Sequence, residues 1–288
     1  MRFSRPRICA TAILALLLAA CTGCSLINKV RAKNELNETA KAYKEGHFEE
    51  AEQHARRALY LDPSNPTAPI FIARVLHQQY QPGVDRPENV QKAKDAIEAY
   101  QRVLQKPASP QQTEEAYKAI SVLYAAIKDE QDLRAWIMKR AADSNESAEK
   151  RAEAYAILAG KDWDCSYKVT ELPDVKITST EAGGATGKVS YKKPKEQKDF
   201  DMIQKCVMRG LEEAETAIKL DPNSESAWSY KTNLLLEDAK MADMENDQPK
   251  KTEYEKQAKI AGDRAAKLAD QRRKQEEAAE QAAGTPTP

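Results

Sequence analysis

Few residues of this chain are of a type and spacing that would support catalysis. The three histidines are His47, His54 and His77, and no pair of carboxylates is placed to complete a metal site with them. The stretch 183–188 has the glycines and lysine of a phosphate-binding loop. It is one residue short, however, and Val189 stands where a serine or threonine must bind Mg²⁺. We recognise no Ser/His or Cys/His arrangement, and we therefore expect no enzyme activity, no cofactor and no metal.

The composition predicts an all-α protein without a nucleic-acid partner. The chain has 288 residues, enough for one or two domains, with 45 basic and 45 acidic side chains. A formal net charge of zero gives no basic field to attract nucleic acid. Only 10 glycines and 6% aromatic residues, beside many alanines, lysines and glutamates, favour helices over sheets.

The N-terminal segment has the pattern of an export signal. Three arginines precede an apolar run of 13 residues, 8–20, which is shorter than the roughly 20 residues that a membrane-spanning helix needs. The run ends in Leu18-Ala19-Ala20-Cys21, which resembles the bacterial lipoprotein signal. An ordinary secretory signal with an incidental cysteine is the alternative.

The lipoprotein resemblance implies that residues 1–20 are removed and that Cys21 is acylated. Cys24 is a second candidate for acylation, because Gly23 before it is also small. Residues 21–31 would then form a lipid-anchored tether to the membrane. Thr22 is not the aspartate that retains some lipoproteins in the inner membrane, so we expect an exported protein, anchored in the outer membrane and facing the periplasm.

Two segments of the chain, 159 residues apart, repeat the same pattern of small residues. Ala51, Ala55 and Ala58 correspond to Gly210, Ala214 and Ala217, and each copy ends in Asp-Pro, at residues 62–63 and 221–222. Small residues at this spacing make a flat stripe that lets another helix approach closely, and Asp-Pro then ends the helix.

This pattern resembles the tetratricopeptide repeat (TPR), a pair of antiparallel helices in about 34 residues. The resemblance implies an all-α, TPR-type α-solenoid of about four to five repeats over residues 32–247. One long inserted loop would occupy residues 161–199, residues 248–282 would form a C-terminal capping helix, and residues 283–288 a disordered tail.

Cys165 and Cys206 flank the expected loop. An exported protein enters an oxidising compartment in which two such cysteines can form a disulfide, and we therefore predict a disulfide between them. Two buried thiols packed between helices are the alternative.

The TPR resemblance also implies a function, because the first helix of each TPR repeat (helix A) lines a groove that grips a partner protein. The corresponding groove residues here are Leu36, Ala40, Tyr43, Lys44, Ile70, Arg74, His77 and Gln78. We expect a non-catalytic adaptor that binds a protein component of the cell envelope and attaches to the membrane through its N-terminal lipid. A surface lipoprotein that binds a small ligand or glycan is the alternative, with Trp163, Tyr167 and Tyr191 as its aromatic residues.

Overall fold

The computed structural model describes residues 7–106, 109–180 and 186–283, and the side chains from Ser25 onward except those of Thr180, Thr186, Lys188 and Ala283. Within these residues lie ten helices and two strands: α1 (Arg7–Glu45), α2 (Phe48–Leu61), α3 (Ala68–Gln79), α4 (Pro87–Leu104), α5 (Pro110–Ala126), α6 (Glu130–Ala142), α7 (Ala148–Thr170), β1 (Lys176–Thr180), β2 (Thr186–Tyr191), α8 (Gln197–Leu220), α9 (Glu225–Met244) and α10 (Gln248–Ala283).

The helices form two compact units, the first ending at Leu133 and the second beginning at Arg134. In the first unit, α1 packs against α2, α2 against α3, α3 against α4, and α4 against α5. In the second unit, α7 packs against α8 and α9, and α9 also packs against α8 and α10. This sequential pairing of antiparallel helices confirms the prediction of an all-α, TPR-type solenoid fold.

The small-residue stripes lie where the helices touch. Ala51, Ala55 and Ala58 on α2 are fully buried, as are Ala214 and Ala217 on α8. Ala58 packs in one cluster with Ala32 and Ala68, while Ala217 packs with Ala152, Ala156 and Ala227. Alanine at these positions keeps helix propensity high while it allows close approach of the neighbouring helices.

Three of the helix pairs are joined by the same turn. The residues Gly46, Lys128 and Asn246 have positive φ angles of 79°, 59° and 58° and follow α1, α5 and α9. In each turn, the next residue's N–H donates to a carbonyl five residues earlier, as His47 does to Ala42 at 2.9 Å. This is the Schellman motif, which ends a helix and sends the chain back along it.

The two Asp-Pro sequences also form matching turns. The backbone N–H of Asp62 donates to Ala58 at 3.0 Å, and that of Asp221 donates to Ala217 at 2.8 Å. Each aspartate then accepts a hydrogen bond from the backbone N–H two residues on, from Ser64 and Asn223. These side-chain turns stop α2 and α8 in the same way.

The prediction of a loop over residues 161–199 is wrong at both ends. Helix α7 continues to Thr170 and α8 begins at Gln197, so residues 161–170 and 197–199 are helical. Buried Ser166 and Val169 extend the packed face of α7, and buried Phe200 begins that of α8. These buried side chains stabilise the helical ends by tertiary packing.

The segment between α7 and α8 contains a β-hairpin. Its strands are antiparallel, with Lys176 opposite Tyr191 and Thr178 opposite Val189. The Asp243 carboxylate on α9 accepts a hydrogen bond from the Tyr191 backbone N–H at 2.8 Å. Val175 before β1 is buried with Phe200 and Met244, so the base of the hairpin is part of the core of the second unit.

The terminal helices pack along only part of their length. Residues 21–31, expected as a tether, continue α1, and among the side chains of that helix that the structure describes, the first fully buried one is Ala32. Helix α10 begins at Gln248 and buries Ala258, Ala261, Ala265 and Leu268. Its described side chains from residue 271 onward are all exposed.

At Gly210, α8 lies close to side chains of α7 and α9. A Cβ atom at this position would lie 2.8 Å from Leu234 Cδ2 and 3.0 Å from Asp162 Cβ. At Gly262 on α10, by contrast, the nearest atom would be Thr232 Cγ2, at 3.4 Å.

We expect Gly210→Ala and Gly262→Ala to change stability in opposite directions. Overpacking at Gly210 should lower the free energy of unfolding by about 1–2 kcal/mol after the gain in helix propensity. At Gly262 the same propensity gain should raise it by about 0.5–1 kcal/mol. Urea denaturation of the two variants measures both effects, and equal shifts would contradict the packing described here.

Candidate partner-binding site

The predicted groove residues lie on α1 and α3, the first helices of two successive pairs. Ile70 does not belong to the accessible surface, since its side chain is 1% exposed and forms part of the core. Leu36 is half-buried and packs against the cluster of Ala32, Ala58 and Ala68, while Ala40 is also half-buried. Helix α1 therefore offers mainly its polar and aromatic side chains to a partner.

Tyr43, Arg74 and His77 share one neighbourhood with Tyr100 of α4 and Glu115 of α5, and Lys44 and Gln78 directly follow Tyr43 and His77 in the chain. We call this the helix A face, and its residues are Tyr43, Lys44, Arg74, His77, Gln78, Tyr100 and Glu115. Lys44 and Gln78 are exposed, Tyr43, Arg74, His77 and Glu115 are half-buried, and Tyr100 is buried beneath them. Tyr43 lies close enough to Arg74 and Tyr100 to influence the pKa of both groups.

Arg74 and Glu115 form a two-pronged ion pair between α3 and α5. The Arg74 Nε donates to Glu115 Oε1 and its Nη2 donates to Glu115 Oε2, both at 2.6 Å. The hydrogen bonds to Glu115 raise the pKa of the Arg74 guanidinium, so it stays charged. Because the two side chains keep 37% and 34% of their surface exposed, a partner can reach the pair. The Phe71 ring, 5.8 Å from the guanidinium carbon, supports Arg74 from its own helix.

His77 contacts the buried Tyr100. Its Nδ1 lies 3.4 Å from the Tyr100 hydroxyl, and the two rings meet edge to face. Burial lowers the pKa of His77, although the Glu115 charge opposes this, so the ring is neutral at pH 7. Burial and the Glu115 carboxylate both raise the pKa of Tyr100. The helix A face therefore presents hydrogen-bonding and aromatic side chains that are held in place by contacts with each other, namely Arg74 with Glu115 and His77 with Tyr100.

Sequence reasoning missed Glu115 and Tyr100. The groove positions implied by the TPR resemblance end at α3. Continuing the same positions onto α5 is the signal that could have found Glu115, which faces Arg74. Tyr100 gives no such signal, because it lies on α4, the second helix of a pair, and is buried beneath the exposed residues of the face.

The second unit contains a charged cluster of two buried acids, Asp162 and Glu213, and two half-buried arginines, Arg134 and Arg209. Asp162 accepts hydrogen bonds from Arg209, one of them at 2.7 Å, and lies 3.3 Å from Arg134. Arg134 also donates to Glu213 Oε1. The other Glu213 oxygen, Oε2, is buried without a hydrogen-bond partner. Two arginines thus face two acids, one of which keeps an unsatisfied oxygen.

Glu213 is expected to make stability fall as pH rises. Its burial raises the carboxyl pKa from 4.5 to about 7, with the Asp162 charge adding to the shift. Because the folded pKa lies above the unfolded value, the folded state binds the proton more tightly. The free energy of unfolding should therefore decline between about pH 4.5 and 7, by about 1.4 kcal/mol per pH unit at most.

Glu213→Gln tests this pH dependence, since the amide keeps an oxygen for Arg134 but does not ionise. We expect the variant to gain stability relative to the unsubstituted chain as pH rises from 5 to 8 in urea denaturation. The comparison cancels the opposing effect of His77, whose lowered pKa costs stability as pH falls below 6.5. If the free energies of unfolding of the variant and the unsubstituted chain differ by the same amount at every pH from 5 to 8, Glu213 is ionised throughout that range.

The other predicted sites lie in different parts of the chain. Cys165 on α7 and Cys206 on α8 are joined by a disulfide, with their Cα atoms 6.2 Å apart. Cys21 and Cys24, the acylation candidates, lie outside the side chains that the structure describes. Within the described part of the chain, no helix is long and apolar enough to cross a bilayer.

Comparison with known proteins adds only distant likenesses. No family model and no curated protein matches the chain. Three similar solved structures are MamA from Desulfovibrio magneticus RS-1, PilF from Pseudomonas aeruginosa and the TPR2AB domain of yeast Sti1 in complex with pHSP90. Their sequence identities are 14%, 14% and 15%, and their TM-scores are 0.40, 0.34 and 0.29. They cover 84%, 81% and 83% of this chain, and it covers 96%, 92% and 98% of theirs. The fold assignment therefore stands on the helix pairs themselves.

Proposed function

We propose that the protein is a non-catalytic adaptor of the bacterial cell envelope, anchored to the membrane by acylated Cys21. It holds a segment of a partner protein against the helix A face. The observation that carries this proposal is the half-exposed Arg74–Glu115 pair, which joins the first helices of two pairs. Both groups keep hydrogen-bonding capacity toward a peptide backbone or side chain.

The surroundings of the pair suit a peptide better than a small molecule. Tyr43 and His77 offer aromatic edges, and the exposed Lys44 and Gln78 offer additional hydrogen-bond donors on the same face. Interface energy usually concentrates in arginine and aromatic residues of this kind. An extended segment could contact residues on α1, α3 and α5 in turn.

The glycan alternative draws less support from the structure. Trp163 lies 5.1 Å from Tyr167 and 6.3 Å from Tyr230, measured between ring centroids. Trp163 packs against Ala159, Ala214 and Leu234, and a tryptophan that fills a helix contact has little ring face left for a sugar. The Lys240 Nζ lies 5.0 Å from the Tyr167 ring centroid and 5.2 Å from that of Tyr191, and Tyr191 also packs against the base of the hairpin.

Crosslinking in living cells, followed by purification from solubilised membranes and mass spectrometry, tests the adaptor proposal. We expect Arg74→Ala to lower recovery of the partner about tenfold, the effect of losing 1–2 kcal/mol at an interface arginine. The fold should survive, since a half-exposed ion pair contributes only about 0–1 kcal/mol.

Two control variants test whether a loss of partner recovery is specific to Arg74 and whether recovery depends on the lipid anchor. Arg102→Ala removes a guanidinium from another ion pair, with Glu98 on α4, which is 55% exposed on the arginine side. It should leave partner recovery unchanged. Cys21→Ala should release the chain from the membrane fraction. Equal recovery with Arg74→Ala and Arg102→Ala would contradict the proposed site, and no enriched protein in any sample would contradict the adaptor function.

A further inference from the structure

The first described turns of α1 carry an apolar surface that the fold leaves uncovered. Leu26, Ile27 and Val30 expose 66%, 55% and 63% of their surface, whereas Ala32 is fully buried. We call the three exposed residues the α1 stripe. They lie within about one helical turn of each other, before Ala32, the first buried side chain in the part of α1 whose side chains are described.

The α1 stripe occupies one side of the helix. At 100° per residue, Leu26, Val30 and Ile27 fall within about 100° of the circumference. Ala32, which packs against the core of the first unit, points to the opposite side. The stripe therefore faces away from the protein.

Basic side chains flank the stripe on both sides. By the same geometry, Lys29 and Lys33 lie along one edge and Arg31 along the other, and all three are exposed. From Ser25 to Asn34 the sequence has three basic residues and no acidic one. In the part of the chain that the structure describes, no ion pair involves any of the three. A narrow apolar face with cations along its edges is the pattern of a helix that lies in a membrane interface.

We propose that the α1 stripe rests on the surface of an anionic phospholipid bilayer. The three cations face the lipid phosphates, and Leu26, Ile27 and Val30 enter the region between headgroups and acyl chains. Charge complementarity favours this occupant over a second copy of the chain, because two copies would bring six cations together. The inference rests on the proposed membrane tether.

The position of the stripe fits that tether. At 1.5 Å per residue, Leu26 lies about 7.5 Å and Val30 about 13.5 Å along α1 from Cys21. An acyl anchor at Cys21 would hold this part of α1 near the headgroups, where weak lipid contacts are strengthened by high local concentration. The contact would fix the direction in which α1 leaves the membrane.

Quenching by brominated lipid tests the proposal on the full acylated chain. The chain is recovered from bacterial membranes and reconstituted into vesicles of phosphatidylglycerol and brominated phosphatidylcholine. Val30→Trp places a reporter in the stripe, and Tyr60→Trp is the matched control at an 84% exposed position on α2 of the same unit. The emission of the unsubstituted chain, with its Trp136, Trp163 and Trp228, is subtracted.

We expect the reporter at position 30 to lose most of its emission and the reporter at position 60 to keep it. Adding Lys29→Glu, Arg31→Glu and Lys33→Glu should restore the emission at position 30 while the chain still floats with the vesicles. A chain that floats with unquenched emission at position 30 would overturn this inference and leave the tether standing. If that emission also shifts to the blue, the stripe packs against protein, most simply a second copy. A chain that does not float with the vesicles would overturn both the membrane contact of the α1 stripe and the membrane tether. Partner capture by the helix A face is measured separately, by the crosslinking experiment.

Discussion

Removing the Cys165–Cys206 disulfide should lower the free energy of unfolding by about 4 kcal/mol. The bond joins α7 to α8 across 41 residues of sequence, a segment that includes the β-hairpin. In the chain-entropy account, a crosslink over a loop of this length restricts the unfolded ensemble by about that amount. Cys206 is also buried, so its replacement removes packing as well.

The double variant Cys165→Ala/Cys206→Ala measures this contribution by urea denaturation with and without a thiol reductant. We expect the reductant to destabilise the unsubstituted chain to about the level of the variant, and to leave the variant unchanged. Alkylation followed by mass spectrometry should label both cysteines only after reduction. If both thiols react in the unreduced folded protein and the reductant has no effect on stability, the cysteines are free.

The second large effect should come from Asp162→Ala, at about 3–5 kcal/mol. The Asp162 side chain is 2% exposed and accepts hydrogen bonds from Arg209, with Arg134 beside it. Removing it leaves guanidinium groups without their buried counter-charge, which costs far more than a surface ion pair contributes. Because Arg209 keeps 37% of its side chain exposed and can turn toward water, we expect a value near the lower limit.

Asp164→Ala is the matched control for Asp162→Ala. It lies two residues further along α7, is 49% exposed and pairs with Lys168 at 2.6 Å. Removing this exposed ion pair should lower the free energy of unfolding by no more than about 1 kcal/mol. Similar denaturation midpoints for the two variants would contradict the large contribution of the Asp162 carboxylate to stability.

The elements that the sequence predicted well are those determined by neighbouring residues. Asp62 and Asp221 mark helix ends, because this conformation depends on a few adjacent side chains. The stripe of Ala51, Ala55 and Ala58 is buried because its spacing alone defines a face.

The features that sequence reasoning missed depend on residues far apart in the chain. Arg74 and Glu115 are 41 positions apart, and Arg134 and Glu213 are 79 apart, so no local pattern connects them. The two ends of 161–199 are helical although a loop was predicted there, because the glycines and prolines that indicate a loop lie between Pro173 and Pro194 and not at the ends. Packing of Phe200 and Val169 against the second unit stabilises these helical ends.

Site-specific photocrosslinking tests the helix A face most directly. A photoreactive amino acid replaces Gln78, which is exposed on that face, or Tyr60, which is exposed on α2. Both full-length variants are irradiated in living cells and recovered from the membrane. We expect a defined partner adduct from position 78 that is absent at position 60 and weakens about tenfold when Arg74→Ala is added. The same adducts from both positions, or an adduct from position 60 alone, would contradict binding at this face.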